Sequence, residues 1–262
     1  MFESIENTLS NSFETITLKE MDNVKLMDRT DTKYALHISE LNDILLEVKE
    51  HYNLLTVEHK IISKYKTLYY DTQSLSLYNQ HQSGKLNRYK IRHRTYVESN
   101  LGFLEVKFKN NKGRTIKERI KKLEVPQEWD NHAKTFLDTS LPFESDDLVP
   151  VVWVNYNRVT LVSKHAQERV TIDLGMKFIK DNLEVDLSAL VIVEIKQDSK
   201  KSSVFCDVLK NHHIREGSLS KYCMAIAYTK QDVKKNTFKM KLNQINKILN
   251  YASTSNSERP TS

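Results

Sequence analysis

Residues that interrupt regular structure are scarce in this chain. It has five glycines and four prolines among 262 residues, so most of it is expected to be helix or strand joined by short connections. Cysteine is scarcer still. Cys206 and Cys223 have no CxxC partner; two such residues exclude a disulfide framework and point to reduced thiols in a reducing compartment. No apolar run approaches the roughly 18 residues of a membrane span. The start, Met1-Phe2-Glu3-Ser4-Ile5-Glu6-Asn7, has neither a cationic n-region nor an apolar h-region, so no secretory signal is expected there. A cytoplasmic protein is the expectation. The glycine motifs of nucleotide sites are also missing. Gly84-Lys85 and Gly113-Arg114 stand without the further glycines of GxxxxGK(S/T) or GxGxxG, which excludes a P-loop kinase and a Rossmann enzyme.

What is present is charge on a large enough apolar base. Hydrophobic residues make up 39% of the chain and charged residues 28%, sufficient for a sizeable core. The formal charge is +6 and the isoelectric point about 9.0, which favours an anionic partner without naming one: nucleic acid, an acidic membrane surface and phosphate metabolites all qualify.

Patterning predicts about eight strands, mostly antiparallel. Three of them, 87–97, 101–109 and 114–121, are joined by the turn-rich connections Glu98-Ser99-Asn100 and Asn110-Asn111-Lys112-Gly113 and read as hairpins. Residues 28–38 and 60–70 read as strands, as do 151–163, 168–174 and 189–197, which are rich in Val, Ile and Thr. Helices are expected over 12–24, from a Ser39 cap, from Asp71 to Tyr78, and over 128–137, 205–212, 220–228 and 239–249. No linker-like break separates the strand sets, so one domain over 1–250 is expected, α+β in class. Its sheet is read as closed, because closure removes edge strands. The Ser/Thr-rich end, 251–262, is expected to be a disordered tail.

The charges fall on alternate residues, which in a strand share a face. Arg88, Lys90, Arg92 and Arg94 share one. Glu105, Lys107 and Lys109 share another, opposite Leu104, Val106 and Phe108. So do Glu194 and Lys196; Arg29, Asp31 and Lys33; Lys117 and Arg119; and Arg169, Thr171 and Asp173. A charged face on one strand ordinarily faces water. Here the pattern recurs in most strands, the opposite face carries large apolar residues, and amphipathic helices are available to cover that face. Helices outside a closed barrel leave the charged faces lining its interior. Crowded like charges are unstable there unless a polyanion fills the space, with Lys and Arg pairing to phosphate oxygens. The interspersed acids Glu105 and Glu194 suit a hard divalent cation, Mg²⁺ or Mn²⁺.

In order along the chain, the segments DRTDTKYAL (28–36), TLYYDT (67–72), RYKIRHRTY (88–96), FLEVKFK (103–109), NYNRVT (155–160), ERVTIDL (168–174), VIVEIKQ (191–197) and SLSKYC (218–223) resemble the triphosphate tunnel metalloenzymes. Within them the chain resembles the VTC-type polyphosphate polymerase domain. The resemblance covers roughly residues 20–230 and implies an eight-stranded antiparallel tunnel flanked by helices. It implies that Lys33, Arg92, Arg94, Lys107, Arg158, Arg169 and Lys221 contact phosphates, with Ser220 beside Lys221. Glu194 matches the family's metal-binding glutamate, and Glu105 is a second candidate ligand. Lys90, Lys109, Lys117, Arg119 and Lys196, on the same charged faces, complete the expected phosphate-binding set. Tunnel hydrolases begin with an E-x-E-x-K strand. Here it reads Arg29-Thr30-Asp31-Thr32-Lys33, with a single acid, closer to the polymerase branch.

The implied reaction is transfer of the γ-phosphoryl group of ATP to a growing inorganic polyphosphate chain, with pyrophosphate or triphosphate as small ligands and Mn²⁺ or Mg²⁺ as cofactor. Relatives of this kind work at membranes, so a separate membrane protein is a possible partner. Three alternatives compete: a triphosphatase or polyphosphatase in the same tunnel, a non-catalytic polyphosphate-binding module, and a nucleic-acid-binding sheet. The last is disfavoured, because Tyr89 and Phe108 fall opposite the charged faces. His93 likewise falls opposite Arg92 and Arg94, His212-His213 reads as a solvated helix end, and Tyr69-Tyr70-Asp71-Thr72 reads as core aromatics followed by a helix cap.

Overall fold

The computed structural model describes residues 2–21, 30–198 and 202–251. Its elements are α1 (Phe2–Ser12), β1 (Thr15–Thr17), α2 (Leu18–Met21), β2 (Thr30–His37), α3 (Ile38–Val48), β3 (Tyr52–Thr56), β4 (Ser63–Thr72), α4 (Ser76–Gln82), β5 (Arg88–Tyr96), β6 (Leu101–Lys109), β7 (Thr115–Lys121), α5 (Asn131–Ser140), β8 (Leu148–Ser163), β9 (Glu168–Lys180), β10 (Leu183–Leu187), β11 (Leu190–Gln197), α6 (Val204–Asn211), β12 (Glu216–Gly217), α7 (Lys221–Thr229) and α8 (Lys239–Leu249). Arg29 and the tail from residue 252 lie outside the described residues.

Twelve strands form one sheet in the order β12-β2-β11-β9-β8-β4-β5-β6-β7, with β3 also on β8, β1 on β3 and β10 on β9. Every pairing is antiparallel except β1 on β3. The expected eight-stranded closed barrel is therefore corrected on two counts. There are more strands, because β1, β3, β10 and β12 are short pieces whose partners lie far away or beyond a tight turn. And the pairing is open: among the described residues no ladder joins β7 to β12. The outer edge of β2 is taken by the two-residue β12. Strand β7 is exposed along almost its whole length, an edge guarded by Lys117, Glu118, Arg119 and Lys121.

The apolar face of the sheet is covered as its alternation requires. Tyr34, Leu36, Val159, Leu161, Val170, Ile172, Val191, Val193 and Ile195 pack with Ile5 and Leu9 of α1, Leu41, Ile44 and Leu45 of α3, and Phe205 and Leu209 of α6. Ile91, Leu104 and Val106 pack with Ala133 and Leu137 of α5. Among the described residues α7 lies on the other side, in one cluster with Tyr78 of α4 and Ile245 of α8. Tyr222, Cys223 and Ile226 of α7 are buried with Tyr69, Val152, Val154, Tyr156, Met176, Phe178 and Ile192, residues in phase with Arg158 and Glu194 on the inner face. Part of one end of the tunnel expected from the resemblance is thus filled by α7.

Local signals account for most boundaries. Of the helix expected over 12–24, only Ser12 and α2 are helical; α1 precedes α2 and ends at Ser12 with Ile5 and Leu9 buried, the β-branched Thr15-Ile16-Thr17 pairs with β3, and 22–24 lie outside the described residues. Helix α3 is capped by His37, whose Nδ1 accepts from Ser39 N at 3.2 Å while Glu40 accepts from His37 N at 3.3 Å, a capping box two residues earlier than the expected Ser39 cap. Asp71 is fully buried and accepts from Leu77 N and Tyr78 N at 2.9 Å, tying the end of β4 to the start of α4.

Candidate active site

The curled inner face encloses a cavity of about 660 Å³. Eleven basic side chains line it: Lys33, Lys90, Arg92, Arg94, Lys107, Lys117, Arg119, Arg158, Arg169, Lys196 and Lys221. Among the described residues three acids do, Asp31, Glu98 and Glu194. Strand register explains the assembly. Lys90, Lys107 and Lys117 oppose one another across β5, β6 and β7. Lys33, Glu194 and Thr171 form the matching row across β2, β11 and β9. Ser220 and Lys221 enter from the start of α7, where Ser220 caps the helix and accepts from Lys90 Nζ at 3.0 Å.

All the expected phosphate-contacting residues line the cavity except Lys109, which lies beyond it on the exposed end of β6. Glu105 is not in the lining either. It is fully buried beneath the wall, where Arg92 Nε and Nη2 meet its Oε2 at 2.7 and 2.6 Å and Lys117 pairs with its Oε1. Burial opposes its ionisation, but Arg92, Arg94 and Lys117 outweigh burial and hold the carboxyl below the ordinary carboxylate range.

A second buried acid, to which the sequence reading gave no role, does the same on the opposite wall. Asp173 accepts a bidentate pair from Arg158 (Nε 2.6 Å, Nη2 2.9 Å) and also pairs with Lys221; against burial, these cations hold its carboxyl at about 2. Aromatic rings complete the support. Tyr65 and Tyr156 stack at 5.1 Å, and both lie beneath Arg94 and Arg158, 5.0–5.9 Å from ring to guanidinium. Phe103 sits 4.4 Å under Arg119. Tyr65 and Tyr156 are in phase with the cavity face of β4 and β8, so alternation alone could have nominated them. Tyr69 lines the cavity and accepts from Arg92 Nη1 at 3.4 Å, whereas Tyr70 is in the outer core.

The remaining charge is not balanced. Among the described residues, Lys90, Arg94, Lys107 and Arg119 have no carboxylate partner: Arg94 donates to Thr67 at 3.3 Å, Lys90 to Ser220, and Lys107 has neither ion pair nor hydrogen bond. Arg92, then burial, then Arg94 push the Lys107 ammonium well below its ordinary value. Burial lowers Lys196 to about 8, although Glu194, 2.7 Å away, and Asp31, 3.9 Å away, oppose the shift.

The lysine shifts set a pH dependence. Between pH 8 and 10.5 an unfolded Lys196 holds a proton that the folded one has released, so this residue makes stability rise with pH across that window. An anion in the cavity favours the protonated form. Binding of tripolyphosphate at pH 8–9 is therefore expected to take up protons, and calorimetry in buffers of different ionisation enthalpy will read the uptake. Identical apparent enthalpies in all buffers would rule it out.

A divalent ion has a limited place here. Among the described residues no group of three or more His, Cys, Asp or Glu is placed to hold one. Glu194 lines the cavity, with Asp31 sharing Lys196; against burial, Lys196 and Lys33 hold Glu194 well below its ordinary value. Mg²⁺-like ions are commonly bound by one or two carboxylates together with substrate phosphates, so these residues fit an ion that arrives with a triphosphate. His212 is elsewhere, its Nε2 bonded to Glu47 at 2.7 Å. His93 is fully buried outside the cavity against Lys122 O at 2.9 Å.

The inner face of this largely antiparallel sheet thus gathers a large excess of positive charge, with Glu194 among the few lining acids. The VTC domain model matches residues 28–230, and the chain belongs to that family. No curated protein sequence matches it. Solved structures similar to it include the PH1819 protein of Pyrococcus horikoshii OT3, 13% identical over 76% of this chain and 96% of that one, with a TM-score of 0.43. Another is HpAC1 of Hippeastrum, a putative adenylyl cyclase described as having a dominant triphosphatase activity, 11% identical over 79% of this chain and 98% of that one, TM-score 0.47. No helix among the described residues is long and apolar enough to cross a membrane.

Proposed function

We propose that this chain is a polyphosphate polymerase, a phosphotransferase that moves the γ-phosphoryl group of ATP onto a growing inorganic polyphosphate chain. The observation that carries the reading is the charge left uncompensated in the cavity, centred on Arg94, Lys107 and Lys90. A linear polyphosphate neutralises such a row continuously, and membership of the VTC family directs the reading to that ligand. A terminal oxygen of the chain attacks the γ-phosphorus. The bond from that phosphorus to the β–γ bridging oxygen breaks, and ADP leaves with the electron pair. No side-chain nucleophile is required; positioning and charge stabilisation are the protein's contribution.

In this reading Arg92, Arg94, Lys107, Arg158 and Arg169 hold the triphosphate, and Lys33 and Lys221 hold the acceptor end. Glu194, helped by Asp31, would hold Mn²⁺ or Mg²⁺, which supplies charge neutralisation to the phosphate oxygens. Glu105 and Asp173 act from behind the wall, fixing Arg92 and Arg158. The location that suits an ATP-consuming protein with two free thiols is the cytoplasm, with any membrane partner a separate protein.

The test is incubation with ATP and Mn²⁺, with and without a short polyphosphate primer, and separation of products on a polyphosphate gel. A ladder with ADP release is expected, lost in Arg94→Ala and Glu194→Ala proteins that retain the wild-type melt. Free phosphate without a ladder would replace the polymerase by a hydrolase. Binding without turnover in either metal would leave a binding module.

A further inference from the structure

The charged face of the β5–β6 ribbon continues past the cavity. Arg94, Arg92, Lys90 and Arg88 alternate onto one face of β5 over about 20 Å; the first three line the cavity and Arg88 lies beyond them. Arg88 opposes Lys109 on β6, as Lys90 opposes Lys107. Arg88 is half-buried and Lys109 exposed.

A third cation arrives from another element. Lys241 of α8 donates to Ser218 Oγ, two residues before the Ser220 that accepts from Lys90. The segment 218–220 thus joins Lys241 to the cavity wall. His81, in the last turn of α4, packs against Phe238 at the root of α8, ring centroids 6.0 Å apart. Burial first, then Lys90, Arg88, Lys241 and Lys109, hold its imidazole at about 3, so one ring senses all four cations. Among the described residues no carboxylate pairs with Arg88, Lys109 or Lys241. Helix α7 fills the inner face on the β8–β9–β11 side of this end, and the β5–β6 ribbon continues on the other side.

We propose that Arg88, Lys109 and Lys241 form an exit track, a binding surface for the part of an inorganic polyphosphate chain that has outgrown the cavity. The proposal rests on the polyphosphate reading of the cavity and adds to it a second subsite on the surface. An extended phosphate chain carries a charge on every unit, so a file of cations along one strand face holds it without any pocket, through contacts that weaken as salt rises.

The experiment compares binding of tripolyphosphate and of long-chain polyphosphate to the wild-type protein, to an Arg88→Gln/Lys241→Gln double variant, and to Lys247→Gln, which removes a charge elsewhere on α8. The expected result for the double variant is unchanged tripolyphosphate affinity, long-chain affinity lower by at least tenfold with a shallower salt dependence, and an unaltered melt. Lys247→Gln should leave both ligands unaffected. Wild-type affinity of the double variant for long chains, with tripolyphosphate still bound, would overturn the track and leave the cavity reading standing. An equal loss for Lys247→Gln would reduce the track to general surface charge. If the wild-type protein binds neither phosphate ligand, the cavity reading itself fails and the track falls with it.

Discussion

Replacing Glu105 with alanine is expected to destabilise the free protein by about 3–5 kcal/mol, because a buried ion pair broken on one side leaves the other charges without a counterion. Two cations are stranded at once, Arg92 and Lys117, in a wall that already holds Lys107 and Arg94. For a chain of this size the melting temperature should fall by roughly 6–20 °C. Tripolyphosphate supplies the missing negative charge from the cavity side, so the ligand-induced rise in melting temperature should be larger in the variant than in the wild-type protein. The comparison also decides the role of this residue. A metal ligand, as the resemblance suggested, would give the opposite pattern: near-normal stability and a strongly raised Mn²⁺ requirement.

Lys107 is expected to behave in the reverse sense. It has no partner among the described residues and sits against Arg92 and Arg94, which with burial disfavour its charge. Lys107→Met keeps most of the aliphatic stem, removes a repulsive ammonium and should raise the melting temperature of the free protein by a few degrees. The same change removes a phosphate contact placed where charge develops in phosphoryl transfer, and turnover should fall about 100-fold. Lys107→Arg should recover much of the loss. A gain of stability with loss of turnover is the signature of a group retained for its ligand; unaltered turnover in Lys107→Met would remove Lys107 from the site.

Much of the site was legible because strand alternation is a local rule. Arg88 to Arg94 and Leu104 to Lys109 declare their faces residue by residue, and of those faces Lys90, Arg92, Arg94 and Lys107 line the cavity, whereas Arg88, Glu105 and Lys109 do not. What local rules do not carry is distance in the third dimension. Asp173 was visible on the charged face of its strand, but its service to Arg158 and Lys221 depends on β8 and α7 arriving beside it. Glu105 looked like a ligand because it alternates with lysines. Its burial comes from Arg92 and Lys117 folding over it from both neighbouring strands. The placement of α7 on the inner face was equally hidden, since its apolar residues run nearly all round the helix and name no side to cover. Closure of the sheet was inferred from the need to hide edges; β7 keeps an edge open and protects it with charge instead.

The most direct test of the central claim is diffraction from crystals of the protein soaked with tripolyphosphate and Mn²⁺, with anomalous data collected for manganese. The account predicts phosphate density along Arg92, Arg94, Lys107 and Arg158, and one manganese peak shared by those phosphates and the Glu194 carboxylate. Phosphate density confined to the outer surface, or a manganese held without phosphate by groups outside the cavity, would contradict it.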